Sequence, residues 1–202
     1  MLPRIVVYDP VLTISMPPEL TAASGMNALA HAVESLYAPD GTPQSSDVAE
    51  EAIRALAHGL PRAVASRMIL RPVARRCGAR GSPAGLSAAP RWVCSTSLPM
   101  CSAAHISCRT PARHSACCHT VARVQCAGCT RSRSAELARA LGSSGPERGW
   151  SRVVRTRHQL QAPTSLADLG LEADAIEAVA EIVVGSPGLQ SPRLHEGEMS
   201  VT

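Results

Sequence analysis

Asn27 and His31 stand four positions apart in the stretch SGMNALAHAVE, and both side chains can bind a ligand. On a helix this spacing puts two side chains one turn apart on one face, where they can point at the same atom, as in helical metal and substrate sites. Glu34 falls on that face as well, at i+7 from Asn27. The spacing is equally compatible with an exposed asparagine and a hydrogen-bonded histidine, so the residue types alone leave both interpretations open.

A second group of residues with metal-binding chemistry lies in the middle of the chain. The stretch ACCHTVARVQCAGC, residues 116–129, holds four of the eight cysteines and one histidine. The last two cysteines have the spacing of a zinc knuckle, and with the earlier residues they could supply four zinc ligands, although the earlier ones lack regular spacing. The candidate ligands are Cys117, Cys118, His119, Cys126 and Cys129.

These cysteines belong to a block of unusual charge. Residues 52–135 contain 13 Arg and no Asp or Glu, whereas the rest of the chain contains 7 Arg and 16 acidic residues. Uncompensated arginines could bind nucleic-acid phosphates, but Trp92 is the only aromatic residue of the block, so a base-stacking surface is missing. We therefore expect no specific nucleic-acid partner.

The sequence also bears on the compartment. No stretch reaches the roughly 20 apolar residues of a membrane span, and the N-terminal MLPRIVVYDP lacks the apolar run of a secretory signal. These features predict a cytoplasmic protein with no membrane partner. Disulfides are rare in that reducing compartment, which weakens a disulfide interpretation of the cysteines.

The elements that must position the candidate pair are encoded in the first 66 residues. The stretch RIVVYDP predicts a short buried strand that ends at Asp9. The stretch LTAASGMNALAHAVESLY predicts a helix, with Pro17 and Pro18 suiting its first turn and the segment Pro39–Pro43 following its end. Its apolar face comprises Met26, Leu29, Ala30, Val33 and Leu36.

A second helix is predicted from SSDVAEEAIRALAHGLP. Ser46 or Asp47 is a plausible N-cap, the pair Glu50–Arg54 has i, i+4 spacing, and Pro61 is expected to end the helix. The apolar stripe comprises Ala49, Ile53, Leu56 and Leu60.

Near the C-terminus, Ser165 and Asp168 have the spacing of a capping box, and Gly170 predicts the end of the turn that follows. The next apolar stripe predicts that residues 164–184 are mostly helical. It comprises Ile176, Val179, Ala180 and Val183.

Two parts of the chain resemble one enzyme family. LPRIVVYDPVLTISMPPELTAASGMNALAHAVESLYAPDGTP, followed by AEEAIRALAHGLPRAVA, is similar to the iron-containing alcohol dehydrogenase family and in particular to its maleylacetate reductase branch. QAPTSLADLGLEADAIEAVAEIVV resembles the family's late helical segment. The resemblance implies a mainly α chain, a fragment of the all-helical C-terminal domain of a dehydroquinate synthase-like fold, with one short N-terminal strand and a poorly ordered middle.

The resemblance also assigns roles to the candidate pair. In metal-dependent members an aspartate stands at the Asn27 position, and it and His31 are both metal ligands, whereas maleylacetate reductases carry asparagine there. The predicted catalytic residues are therefore His31 and Asn27, with His31 a metal ligand only if the chain is a metal-dependent relative. Metal binding is accordingly doubtful, and no cofactor-binding residue is identified in this sequence.

The resemblance implies a reductase that converts maleylacetate to 3-oxoadipate with NADH or NADPH in the degradation of aromatic compounds. Its partner would be a small unsaturated oxo-dicarboxylate, and the family tends to form homo-oligomers. Two alternatives stay open: a metal-dependent iron-type alcohol dehydrogenase, and a small zinc-binding or interaction protein that uses the cysteine-rich middle.

The middle of the chain departs from the family pattern in a way that a shifted reading frame explains. Shifted by one base, ARGSPA at residues 79–84 permits Gly-Ala-Trp-Leu-Ala-Gly, and STSLPMCSAAH at residues 95–105 permits a sequence resembling the family's central histidine motif. The cysteines are then best explained as out-of-frame leucine, proline and alanine codons. This hypothesis favours accidental thiols over a zinc module.

The predicted organisation follows from these segments. Residues 1–17 end the nucleotide-binding domain and cross between domains, residues 18–65 form the first helices of the helical domain, residues 66–133 are out of frame and disordered, and residues 134–202 hold later helices and a tail. The glycine-rich cofactor segments and the central histidine motifs of the family are not present in this sequence. We therefore expect the chain by itself to be an inactive fragment.

Overall fold

A computed structural model describes residues 15–37, 42–66 and 131–185, together with residue 112 and residues 115–117, which are helical. All regular structure within these ranges is helical, which confirms the mainly α class. The elements are α1 (Pro18–Tyr37), α2 (Pro43–Ser66), α3 (Arg131–Ala140), α4 (Pro146–Gln159), a 3₁₀ turn (Ala167–Leu169) and α5 (Ala175–Gly185). The predicted N-terminal strand and most of the segment 66–133 lie outside the described residues.

Helix α1 is buried on nearly all sides. It begins at Pro18, so that Pro18 lies in the first turn as predicted and Pro17 lies just before it. The carbonyl of Pro17 accepts hydrogen bonds from both the amide and the hydroxyl of Thr21, at 2.9 and 3.0 Å. The predicted apolar face is confirmed, because each of its five residues is at most 4% exposed. Residues on other sides of the helix, including Glu34 and Ser35, are buried too. A helix buried in this way is a central element of its domain.

The start of α2 differs from the prediction. The amide of Ser45 donates to Oγ1 of Thr42 at 3.2 Å, and the amide of Thr42 donates to Oγ of Ser45 at 2.8 Å, so the two residues cap the helix reciprocally. The predicted N-cap at Ser46 or Asp47 is wrong, since both lie inside the helix. Pro43 makes the earlier start possible because the first helical residue needs no amide donor.

The end of α2 also differs from the prediction. The helix continues through Pro61 to Ser66, so the predicted end at Pro61 is wrong. An interior proline removes one helical hydrogen bond and costs about 3 kcal/mol or more. Leu60 and Ala63 are buried on either side of Pro61, and this packing supports the helix across the missing bond.

Helices α1 and α2 form the most extensively packed pair among the described helices. The predicted α2 stripe is confirmed, since all four residues are buried. They approach closely at Gly25, where an added Cβ would lie 2.6 Å from Cδ1 of Leu60. Only a residue without a side chain leaves room for Leu60 at this crossing.

Helices α3 and α4 form a second pair, and α3 also contacts α1 and α2. Leu137, Leu141 and Val153 are fully buried and belong to the same hydrophobic cluster as the α1 and α2 stripes. Here the close approach involves backbone, because a Cβ added at Gly149 would lie 2.9 Å from the amide nitrogen of Ala138. Helices α1 to α4 therefore share one core.

Charged side chains tie α2 to α3. The predicted Glu50–Arg54 pair is confirmed at 3.7 Å, but Arg54 lies closer to Glu51, at 2.6 Å. Glu50 makes its shortest ion pair with Arg139 of α3, also at 2.6 Å. The hydrogen bond that Arg139 donates to the Glu50 carboxylate, reinforced by the charge of Glu50, raises the pKa of Arg139. This contact joins residues that are 89 positions apart.

The predicted capping box near the C-terminus is confirmed. The amide of Ser165 donates to Oδ2 of Asp168 and the amide of Asp168 donates to Oγ of Ser165, both at 3.0 Å. The hydroxyl of Thr164 donates to the same carboxylate at 2.8 Å, and these hydrogen bonds, Thr164 first, lower the pKa of Asp168. Gly170 ends the turn with φ of 94°. Of the predicted α5 stripe, Val179 is buried, whereas Ile176 and Ala180 are half-buried.

Candidate functional site

The candidate pair lies on α1, on the side away from α2. At 3.6 residues per turn, Asn27 lies about 160° around the helix axis from Gly25, the residue that contacts Leu60. His31 lies one turn beyond Asn27 on the same side. The structure therefore brings the two predicted catalytic residues onto one face, as their spacing indicated.

Both polar side chains are partly withdrawn from water. Oδ1 of Asn27 is fully buried, and within the described part of the chain no group donates a hydrogen bond to it. Nδ1 of His31 is buried as well, and the carbonyl of His31 accepts a hydrogen bond from the Ser35 hydroxyl at 2.9 Å. A buried acceptor without a donor costs about 1–3 kcal/mol, so the Asn27 oxygen is set up for a donor from a ligand or water.

Glu34 extends this polar face by one turn. Its carboxylate belongs to the buried part of α1, with 4% of the residue exposed. The sequence placed Glu34 on the face but gave no reason to expect burial, which depends on what packs around the helix. The polar face of α1 is therefore defined here by Asn27, His31 and Glu34.

The donor chemistry of this face does not fit a metal ion well. Within the described ranges, no three His, Cys, Asp or Glu side chains come together in a way that could hold one. Asn27 offers a neutral amide oxygen, which is a weaker ligand for a divalent cation than the carboxylate of a metal-dependent site. The residues on α1 are better suited to hydrogen bonding with an organic ligand.

The cysteine-rich alternative is only partly visible. Cys117 is buried. Cys118, His119, Cys126 and Cys129 lie outside the described residues, so the structure does not test whether they converge on a zinc ion. Within the described ranges, no helix has both the length and the apolar character needed to cross a membrane.

Comparison with known proteins identifies the class. The profile of the Fe-containing alcohol dehydrogenase family, C-terminal, matches residues 21–71, a range that contains the whole polar face and all of α2. The chain belongs to the iron-containing alcohol dehydrogenase family, and its fold is that of the family's helical C-terminal domain.

Within that family the similarity points to one kind of enzyme. The chain is 36% identical to maleylacetate reductase from Burkholderia cepacia over 196 residues, which cover 92% of this chain and 52% of the relative. It is 62% identical to maleylacetate reductase 2 from Cupriavidus pinatubonensis over 65 residues, which cover 32% of this chain and 18% of the relative.

A solved structure agrees with these sequence comparisons. The crystal structure of maleylacetate reductase from Agrobacterium tumefaciens superposes with a TM-score of 0.82 at 29% identity, covering 96% of this chain and 54% of that one. The chain thus spans about half the length of the curated relatives that it matches. The family is typically NAD(P)-dependent.

Proposed function

We propose that this chain forms the helical side of the active-site cleft of a maleylacetate reductase. Such an enzyme reduces a carbon–carbon double bond that is conjugated to a ketone, and the product of maleylacetate would be 3-oxoadipate. The relatives named maleylacetate reductase support this assignment. In the structure, the observation that carries it is the buried Oδ1 of Asn27, which has no donor within the described chain and faces away from α2.

The reductant in this proposal is NADH or NADPH, which when bound would supply a hydride to one alkene carbon. The electron pair of the double bond moves toward the ketone, and a proton adds to the alkene carbon that is bonded to the ketone carbon. His31 is assigned the proton: its imidazole can donate to the substrate or relay a proton at near-neutral pH. Asn27 is assigned orientation, because its amide can accept one hydrogen bond and donate others.

The neutral side chain of Asn27 also suits a substrate with two carboxylates. An aspartate at this position would repel an anionic substrate unless a metal ion offset its charge, and the described face shows no such ligand set. This argument disfavours the alternative of a metal-dependent alcohol dehydrogenase. Small-molecule binding, rather than nucleic-acid or membrane binding, is the activity proposed here.

A graft tests the assignment on a scaffold of known structure. Residues 18–66 of this chain would replace the matching helices of the Agrobacterium tumefaciens enzyme, and oxidation of NADH and NADPH with maleylacetate would be followed. We expect the graft to keep turnover. His31→Ala in the graft should lower kcat by roughly 10²- to 10⁴-fold, the usual contribution of a general acid or base.

A matched control makes this test specific to His31. His58 is an exposed histidine on α2, so His58→Ala is the matched control and should leave turnover unchanged. A folded graft without turnover, or an active graft indifferent to His31→Ala, would contradict the proposal. The expectation that the 202-residue chain alone lacks turnover stays a prediction, and the same assay on the purified chain tests it.

A further inference from the structure

Glu34 is a buried carboxylate with no role in the proposed chemistry. It is one of the few charged residues among the buried positions of the described chain, and it lies in a helix whose other buried residues are mostly apolar or small. Withdrawing a carboxylate from water costs several kcal/mol unless nearby groups compensate. The buried carboxylate of Glu34 must therefore interact with a polar or charged group near it.

Helix geometry shows what lies nearest on α1. Every Cα–Cβ bond of a helix tilts toward the N-terminus, so the Glu34 side chain leans over the turn that carries His31. Residues three positions apart have Cβ atoms about 5–6 Å from each other, a gap that a glutamate side chain can bridge to an imidazole. His31 in turn leans toward Asn27.

The backbone and the neighbouring charges are consistent with this arrangement. The Ser35 hydroxyl donates to the carbonyl of His31 at 2.9 Å, which ties down the same turn. On α2 and α3, Glu50 and Glu51 pair with Arg54, and Glu50 also pairs with Arg139. Glu34 is thus the carboxylate that helix geometry places nearest to His31 on α1.

We propose that Glu34 is a positioning residue that holds the His31 imidazole in one orientation and one tautomer. The hydrogen bond made by one ring nitrogen decides which nitrogen carries the proton, and therefore which one faces a ligand. Groups that orient a metal-binding histidine in this way are worth about 10- to 100-fold in activity or affinity, and we expect an effect of that size here. The inference rests on the proposed role of His31, but it makes a separate statement about the imidazole itself.

Imidazole NMR on the ¹⁵N-labelled chain at a fixed pH tests that statement without any activity. The His31 signals are assigned with a His31→Gln variant. In the parent chain they should show the two distinct nitrogen shifts of a single neutral tautomer. Glu34→Gln should move them toward the averaged values of a mobile ring. Glu19→Gln, an exposed glutamate in the first turn of the same helix, is the control and should leave them in place.

Circular dichroism separates this effect from loss of fold. If Glu34→Gln does not fold, Glu34→Asp replaces it, because it keeps the charge but withdraws the carboxylate by one methylene. A folded Glu34 variant with unchanged His31 shifts overturns the proposal. A residue that served stability alone would lower the melting temperature and leave the ring signals as they are.

The graft supplies a second measurement. Glu34→Gln in the active graft should lower kcat by about 10- to 100-fold with KM nearly unchanged, because an outer residue acts through the one that it orients. An active graft whose kcat is indifferent to Glu34→Gln overturns the proposal. If the graft itself is inactive, the proposed function fails, while the NMR result still decides whether Glu34 holds His31.

Discussion

Between α1 and α2 the close contact at a glycine is made by a side chain, since Leu60 covers Gly25. Between α3 and α4 it is backbone against a glycine, since Gly149 lies on the main chain of Ala138. A side chain can be shortened by substitution, whereas a backbone atom cannot be removed. The two helix pairs contribute to one core, but they should respond differently when a methyl group is added at the glycine of each pair.

The largest effect should come from removing a core side chain, and it should be similar in both pairs. Leu29 of α1 and Leu137 of α3 are both fully buried in the same cluster. Leu29→Ala and Leu137→Ala should each lower the free energy of unfolding by about 3 kcal/mol, as expected for a buried leucine. Urea denaturation measures both.

The comparison between these two variants is informative in itself. If Leu137→Ala costs far less than Leu29→Ala, the α3–α4 pair is not part of the core that stabilises α1 and α2. Two separate unfolding transitions in the parent chain would lead to the same conclusion.

A smaller effect, about 2 kcal/mol, should follow Gly25→Ala. The new methyl group collides with the buried side chain of Leu60, and overpacking of this kind costs about 1–3 kcal/mol. Because the obstacle is a side chain, Leu60→Ala should remove most of the penalty, so that the two changes together cost less than the sum of the two alone. Thermal unfolding of the single and double variants gives the coupling energy.

Gly149→Ala is the counterpart in the other pair. Its methyl group would meet backbone atoms of Ala138 at 2.9 and 3.0 Å, and the Leu137 side chain only at 3.2 Å. Shortening the Leu137 side chain should therefore not restore the stability that Gly149→Ala removes. If Leu137→Ala restored the stability of Gly149→Ala as fully as Leu60→Ala restores that of Gly25→Ala, the two helix pairs would not differ in the way described.

The ion pair between Arg139 and Glu50, which joins the two helix pairs, should contribute less to the free energy of unfolding than either packing contact. Arg139→Ala breaks the ion pair with Glu50, and because the Arg139 side chain is mostly exposed, we expect a loss of about 0.2–1 kcal/mol that shrinks at high salt. Urea denaturation at two ionic strengths measures it. Arg155→Ala, an exposed arginine on α4, is the matched control. A loss for Arg139→Ala that does not depend on salt would mean that packing, rather than charge, joins α3 to α2.

The smallest effect concerns the capping box before α5. The pKa of Asp168 is lowered in the folded chain from its ordinary value of 3.8 by the Thr164 and Ser165 hydrogen bonds. The ionised Asp168 carboxylate therefore contributes its full stabilisation of the folded chain above about pH 3.8. That stabilisation is lost as the pH falls through the lowered pKa that Asp168 has in the folded chain. A carboxyl NMR titration should place Asp168 below 3.8, and Thr164→Val should move it upward. Titration of Asp168 at or above 3.8 in the parent chain would contradict this.

The sequence carried more information about the first helix pair than about the second. Met26, Leu29 and Leu36 are large and recur at helical spacing, so both the element and its buried face could be predicted from periodicity. The contact of Gly149 with Ala138 involves residues without large side chains, and such an approach leaves no periodic pattern to detect. Packing by backbone proximity is visible only in the folded chain.

The errors in α2 have a related cause. Proline favours the first turn of a helix and disfavours the interior, so Pro43 and Pro61 carry opposite local signals. Tertiary packing around Leu60 overrides the second signal. For the polar face, the spacing of Asn27 and His31 predicted a shared side, but the burial of Glu34 depends on surrounding chain that local sequence does not encode.

The proline within α2 has a consequence for motion. Because Pro61 has no amide hydrogen, the carbonyl of Ala57 loses its usual helical donor, and the hydrogen-bond ladder of α2 is interrupted there. Residues 62–66 can then open as a local unit without breaking the ladder that holds residues 43–60. Amide exchange should accordingly divide α2 into a slow first part and a faster last turn, with the change at Pro61.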